Sequence, residues 1–173
     1  MMGRTHKYGG FATGVVASAY LIPQPYTTES FIMGGLLIGT AMVGSLIPDI
    51  DHKNSTMGRK HKITSSVVNG LFGHRGITHA PFFHFAVLAI LFYLSTLITG
   101  PIQPFVVACV FGLMLGILSH LLLDIITVDG IPLFYPLSKD KVNICTFKSA
   151  KHNTLVCILI TIVMVVAVGW KLV

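Results

Sequence analysis

The chain has 173 residues, 53% hydrophobic and only 10% charged, with a mean hydropathy of +0.79. A soluble domain carries about 25% charged residues, so a disordered chain and an extended nucleic-acid-binding tail are excluded and an ordinary soluble domain is disfavoured. The formal charge of +6, from twelve Lys and Arg against six Asp and Glu, reads first as membrane topology rather than as a partner.

Five apolar stretches follow in chain order. The first, 8–22, is short and rich in small residues. Arg4 and Lys7 precede it and Ala17-Ser18-Ala19 resembles a signal-peptidase site, but Gly9, Gly10 and Gly14 make a poor signal core. The stretches 31–47, 82–98, 105–126 and 155–170 are long enough to cross a bilayer, whereas 8–22 is marginal. A Gly- and Pro-containing turn at 99–104 joins the third to the fourth. The expected fold is all-α, a polytopic membrane protein of four to five transmembrane helices with short loops. Residues 1–173 form a single membrane-embedded domain. Cys109, Cys145 and Cys157 include no CxxC pair, so neither a disulfide framework nor a thiolate zinc site is expected.

With five spans, the N-terminus and the segments 48–81 and 127–154 share one side. That side carries Arg4, Lys7, Lys53, Arg59, Lys60, Lys62, Arg75, Lys139, Lys141, Lys148 and Lys151, and the other carries only Lys171. The positive-inside rule makes the basic side cytoplasmic. If 8–22 lies along the interface instead of crossing, four spans remain and the split is unchanged.

The His and acidic residues gather at that same side, with Glu29 alone among them opposite. Such groups at membrane depth are costly and mark a functional site by default. His6 precedes the first span. Asp49, Asp51 and His52 follow Pro48, which tends to stop the second span. In an extended segment Asp49 and Asp51 would point the same way. Gly73-His74-Arg75-Gly76-Ile77-Thr78-His79-Ala80-Pro81 forms a turn entering the third span. His74 and His79 are candidate metal ligands there, and Arg75 offers a fixed fork for a phosphate or carboxylate. In the fourth span His120 and Asp124 stand four apart, on one helix face. They read either as metal ligands or as a hydrogen-bonded pair that locks helix packing. His84 reads as a packing or supporting residue, and His52, His61 and His152 as ordinary residues of the cytoplasmic face. The candidate metal ligands are therefore His6, Asp49, His74, His79, His120 and Asp124, and the candidate catalytic residues Asp49, Asp51 and Arg75. Oxygen and imidazole donors without thiolate suit a divalent ion, zinc first and manganese or iron(II) next.

Gly44-Ser45-Leu46-Ile47-Pro48-Asp49-Ile50-Asp51-His52, Phe72-Gly73-His74-Arg75-Gly76-Ile77-Thr78-His79, Gly116-Ile117-Leu118-Ser119-His120-Leu121-Leu122-Leu123-Asp124 and Gly130-Ile131-Pro132-Leu133-Phe134-Tyr135-Pro136 together resemble the YdjM family over nearly the whole chain. The resemblance implies a small bacterial inner-membrane protein described as a metal-dependent hydrolase, with His6 matching the family's N-terminal His. A more distant similarity is to the all-α zinc phospholipase C and P1 nuclease group. It implies that Asp124 bridges two metals and that Asp49 ligates one and orients water. The absence of a second His-x-x-x-Glu favours one or two ions over three.

The expected activity is hydrolysis of a phosphoester of a lipid or other amphiphile at the cytoplasmic interface of the inner membrane. Membrane lipid is the expected partner and nucleic acid is not. An ion or metal transporter using the same His and Asp residues, and a non-catalytic membrane scaffold, are the alternatives. Polar groups clustered at one end, with no internal repeat, tell against the transporter.

Overall fold

A computed structural model describes residues 2–73 and 76–172. Seven α-helices appear among them: α1 (Gly3–Leu21), α2 (Thr28–Gly44), α3 (Thr56–Lys60), α4 (Lys62–Phe72), α5 (Pro81–Thr96), α6 (Gln103–Ile125) and α7 (Ser149–Leu172). Two short 3₁₀ turns, Pro48–Asp51 and Ile77–His79, flank the α3–α4 segment. The all-α class expected from the sequence is what the structure has. Three helical stretches are long and apolar enough to cross a membrane, Thr28–Asp51, Gln103–Ile125 and Lys151–Lys171, and Pro81–Thr96 is a shorter apolar helix. The count is roughly consistent with the four to five spans read from the sequence. The exposed faces of α5 and α7 are largely apolar, as Phe82, Phe85 and Ile90 on α5 and Ile162, Val163 and Val166 on α7 illustrate.

Chemistry fixes the helix ends. The Thr27 side chain accepts a hydrogen bond from the Ser30 amide at 3.2 Å and so caps α2. Pro81 opens α5, where its missing N–H costs nothing.

The centre is a three-helix packing of α1, α2 and α6. Apolar side chains give little drive for association within lipid, so close backbone contact must hold the helices. Small residues supply it: a Cβ on Gly116 of α6 would strike the carbonyl of Ala41, and one on Gly10 of α1 would lie 2.5 Å from the same oxygen. Ala41 itself is fully buried between them. Matching contacts show that α1 runs antiparallel to α2, through Gly10 with Ser45 and Gly34 with Ser18. They show α6 parallel to α2, through Gly44 with Leu113 and Gly116 with Ser45. The start of α1 and the ends of α2 and α6 therefore lie at one end of the bundle.

α7 is fastened to α1 by hydrogen bonds from Thr5 to Asn153, between Tyr8 and Thr161, and from Tyr20 to the Ala167 carbonyl. Between α6 and α7 runs an apolar cleft floored by Gly9, Ala12, Val16 and Ala17 of α1. The 126–148 segment folds back against the end of α6, where Ile126 and Phe147 also line that cleft. Isolated bridges pair Thr127 with Phe147 and Ile131 with Val142, and Ile131 packs into the apolar core with Leu88, Ile117 and Leu121.

Two local features differ from the sequence reading. Residues 48–51 form a 3₁₀ turn rather than an extended segment, so Asp49 and Asp51 diverge. Residues 56–72, for which the sequence reading gave no helix, contain α3 and α4.

Candidate metal centre

Four chain segments meet at the common end of α1, α2 and α6. His6 stands on the first turns of α1, Asp49 and Asp51 on the turn after α2, His79 on the turn before α5, and His120 and Asp124 on the last turns of α6. His6, Asp51, His79, His120 and Asp124 have no solvent exposure. The Asp49 side chain, 16% exposed, reaches the surface and marks the mouth of the cluster.

The donor atoms converge. His79 Nε2 lies 3.3 Å from His120 Nε2 and 3.3 Å from Asp124 Oδ2. Asp124 Oδ2 is 3.5 Å from His120 Nε2, and Asp49 Oδ1 is 3.9 Å from both imidazole nitrogens. On the other oxygen of the same carboxylate, Asp124 Oδ1 lies 3.3 Å from His6 Nε2. The His6 ring stacks on His120, with centroids 3.7 Å apart. Two sets of donors, His6 with His120 and Asp124, and Asp49 with His79 and His120, are each compact enough to hold an ion.

Hydrogen bonds decide which nitrogen carries the lone pair. His120 Nδ1 donates to the Ser45 carbonyl at 2.7 Å, so its Nε2 is the free acceptor. The Thr78 hydroxyl has one proton and gives it to Asp51 Oδ2 at 2.8 Å. It therefore accepts from His79 Nδ1, 3.1 Å away, and His79 Nε2 carries the lone pair as well. His84 Nε2 donates to the Thr78 carbonyl and holds this turn in place. Two lone pairs facing each other at 3.3 Å, with a carboxylate oxygen equally near, need a proton or a cation among them. A tetrahedral ion with bonds of about 2.0–2.1 Å separates its donors by about 3.3–3.4 Å, which matches the three shortest separations. The donor set therefore fits a divalent ion. Burial alone would lower the His79 pKa, but the carboxylates of Asp124 and Asp51 outweigh it and hold the ring above its ordinary value.

Asp51 does not join the convergent set. Its Oδ2 turns to Thr78 and lies 3.6 Å from His79 Nδ1, on the side of the ring away from the cluster. His74 and Arg75, a candidate ligand and a candidate catalytic residue, lie outside the described residues. Sequence reasoning missed Thr78 and the Ser45 carbonyl. Thr78 had a signal, its position beside a candidate ligand in Gly-Ile-Thr-His. A backbone carbonyl has none. Asn69 of α4 was also missed, and its side-chain amide donates to the Asp51 carbonyl at 2.8 Å, tying α4 to the site.

The sequence profile of the family described as YdjM inner membrane protein matches residues 1–173. An uncharacterized protein, YvsG, of Bacillus subtilis (strain 168) is 40% identical over 136 residues, covering 79% of this chain and 74% of the relative. The inner membrane protein YdjM of Escherichia coli (strain K12) is 41% identical over 101 residues, covering 58% of this chain and 49% of the relative. The protein of the same name from Shigella flexneri gives the same figures. The match thus spans about half the length of these two relatives. No solved structure matches.

Proposed function

The chain belongs to the YdjM family of inner membrane proteins, and on that premise we propose that it is a membrane-bound, metal-dependent hydrolase. It acts at the cytoplasmic interface on a phosphoester of a lipid or another amphiphile. The observation that carries the reading is the approach of His79 Nε2, His120 Nε2 and Asp124 Oδ2 to within 3.3–3.5 Å of one another, with both imidazoles held in the tautomer that ligates. Support for the cytoplasmic side comes from the eleven basic residues of that face against Lys171. The same cations, with Arg75, favour a phosphate-bearing substrate over an acyl ester.

His79, His120, Asp124 and Asp49 would hold the ion, zinc by preference and manganese or iron(II) otherwise. His6, on the second oxygen of Asp124, and His74 are candidates for a further position. When bound, such an ion polarises the scissile group and makes water a nucleophile near neutral pH. Asp49, which reaches the surface, would use the carboxylate oxygen not on the ion to take the proton of the attacking water and pass it to the leaving oxygen as the P–O bond breaks. Asp51 works through Thr78 to orient His79. Arg75 stabilises charge developing on a phosphoryl oxygen.

Metal analysis of protein purified without chelators, paired with turnover of lipid phosphates, tests this. The parent should carry stoichiometric metal and hydrolyse such a lipid. Asp124→Ala should lose metal and activity together, and Arg75→Ala should keep metal and lose turnover of the anionic lipid. Lys139→Ala, an exposed loop charge, should match the parent. Bound metal with ion flux in proteoliposomes and no hydrolysis would establish the transporter reading instead. Metal-free parent protein whose His–Asp variants merely unfold would leave a scaffold.

A further inference from the structure

Helix α4 has its polarity reversed. Its inward face carries Ser65, which is fully buried, and Asn69, whose amide bonds the Asp51 carbonyl. Its outward face carries Ile63, Val67 and Leu71, which are 83%, 53% and 71% exposed. These three recur every fourth residue and form one stripe. A helix that packs its polar side inward and its apolar side outward is stable only where the outside is apolar. Just ahead of the stripe stand Arg59, Lys60 and Lys62, all exposed. The chain reaches α4 from the end of α2 and leaves it into α5, so both tethers sit at the membrane end that holds the metal centre.

We propose that α4 is an interfacial helix that seats its Ile63–Val67–Leu71 stripe in the headgroup–acyl boundary and binds anionic lipid headgroups through Arg59, Lys60 and Lys62. An apolar stripe flanked by basic residues is the pattern of helices that lie in the membrane plane and favour anionic lipid. Charge complementarity selects anionic lipid over a zwitterionic surface, and the doubly tethered position selects the protein's own membrane over a soluble partner. The Asn69–Asp51 hydrogen bond then fixes that surface beside Asp49, the exposed member of the donor cluster. The inference stands independently of the hydrolase reading, since it needs neither metal nor turnover.

The test uses the full chain in lipid nanodiscs, with one tryptophan moved to the stripe (Leu71→Trp in a Trp170→Phe background) and brominated acyl chains as the quencher. In phosphatidylglycerol discs the residue-71 indole should be strongly quenched. In phosphatidylcholine discs, or with Arg59→Gln, Lys60→Gln and Lys62→Gln combined, quenching should fall. Each lost charge should weaken seating about fivefold at low salt. The swap of lipid needs no substitution in the basic segment, so a folding defect cannot mimic it. An indole left unquenched in both lipids would overturn the proposal and assign the stripe to a protein partner or a second copy. Equal quenching in both lipids and in the triple variant would overturn the anionic recognition.

Discussion

Thr78→Val removes one hydroxyl from the candidate metal centre and keeps the side-chain shape. In the parent, His79 Nδ1 donates to Thr78 Oγ1 over 3.1 Å and Thr78 Oγ1 donates to Asp51 Oδ2 over 2.8 Å. Valine breaks both bonds and leaves a buried imidazole N–H facing a methyl group. An unsatisfied buried donor costs about 1–3 kcal/mol, and loss of a ligand's outer partner typically lowers metal affinity by about 10–100-fold. The geometry places the expected value at the low end. Asp51 Oδ2 already stands 3.6 Å from His79 Nδ1, and closing by about 0.7 Å would make a direct bond of ordinary length. Thr78→Val should therefore weaken zinc about tenfold, and Thr78→Val with Asp51→Asn, which gives a poorer acceptor, should approach a hundredfold. Competition titration against a chelator of known affinity measures this, with thermal unfolding of the ion-free variants as the control for folding. Parent-like zinc affinity in the double variant would refute the assignment of Asp51 and Thr78 as the groups that orient His79.

Gly116→Ala should destabilise the protein by about 1–3 kcal/mol, the usual cost of overpacking, because its Cβ meets the Ala41 carbonyl and the Ser45 amide. It should also weaken zinc, since Ser45 is the acceptor for His120; denaturant titration in detergent and metal analysis read the two effects. Zinc affinity should rise with pH across the pKa of His79, which lies above its ordinary value. The ion must displace that proton, so the gain is up to about tenfold per pH unit, and a flat profile from pH 6 to 8 would contradict it. Reporter fusions after Pro136 should read cytoplasmic and fusions near Gln103 extracytoplasmic, and the reverse would put the donor cluster on the outer face.

The helical class was legible because long apolar runs have few alternatives in lipid. The His120–Asp124 face was legible because four residues on a helix leave no freedom of direction. His6 could be brought to the same end only by topology, and its contact with Asp124 is fixed by the close approach that Gly10 and Gly116 permit. The Asp49–Ile50–Asp51 direction was not legible. An extended strand and a 3₁₀ turn share the same three letters, and the turn sends Asp49 to the ion side and Asp51 to Thr78. α4 escaped notice because its stripe of Ile63, Val67 and Leu71 is short and set among charges. The roles of Thr78 and Ser45 depend on where a proton points, which no residue spacing encodes.

All the converging donors, from His6 to Asp124, precede α7 in the chain. Synthesis therefore delivers the converging donors while α7 has yet to be made. At about 5–20 residues per second the stretch from Asp124 to the end of α7 takes about 2–10 s. An ion captured in that interval would clasp the first helix to the sixth before α7 arrives to fasten along α1. Metal supply during translation, and not only in the finished membrane, would then govern how much of the protein assembles correctly.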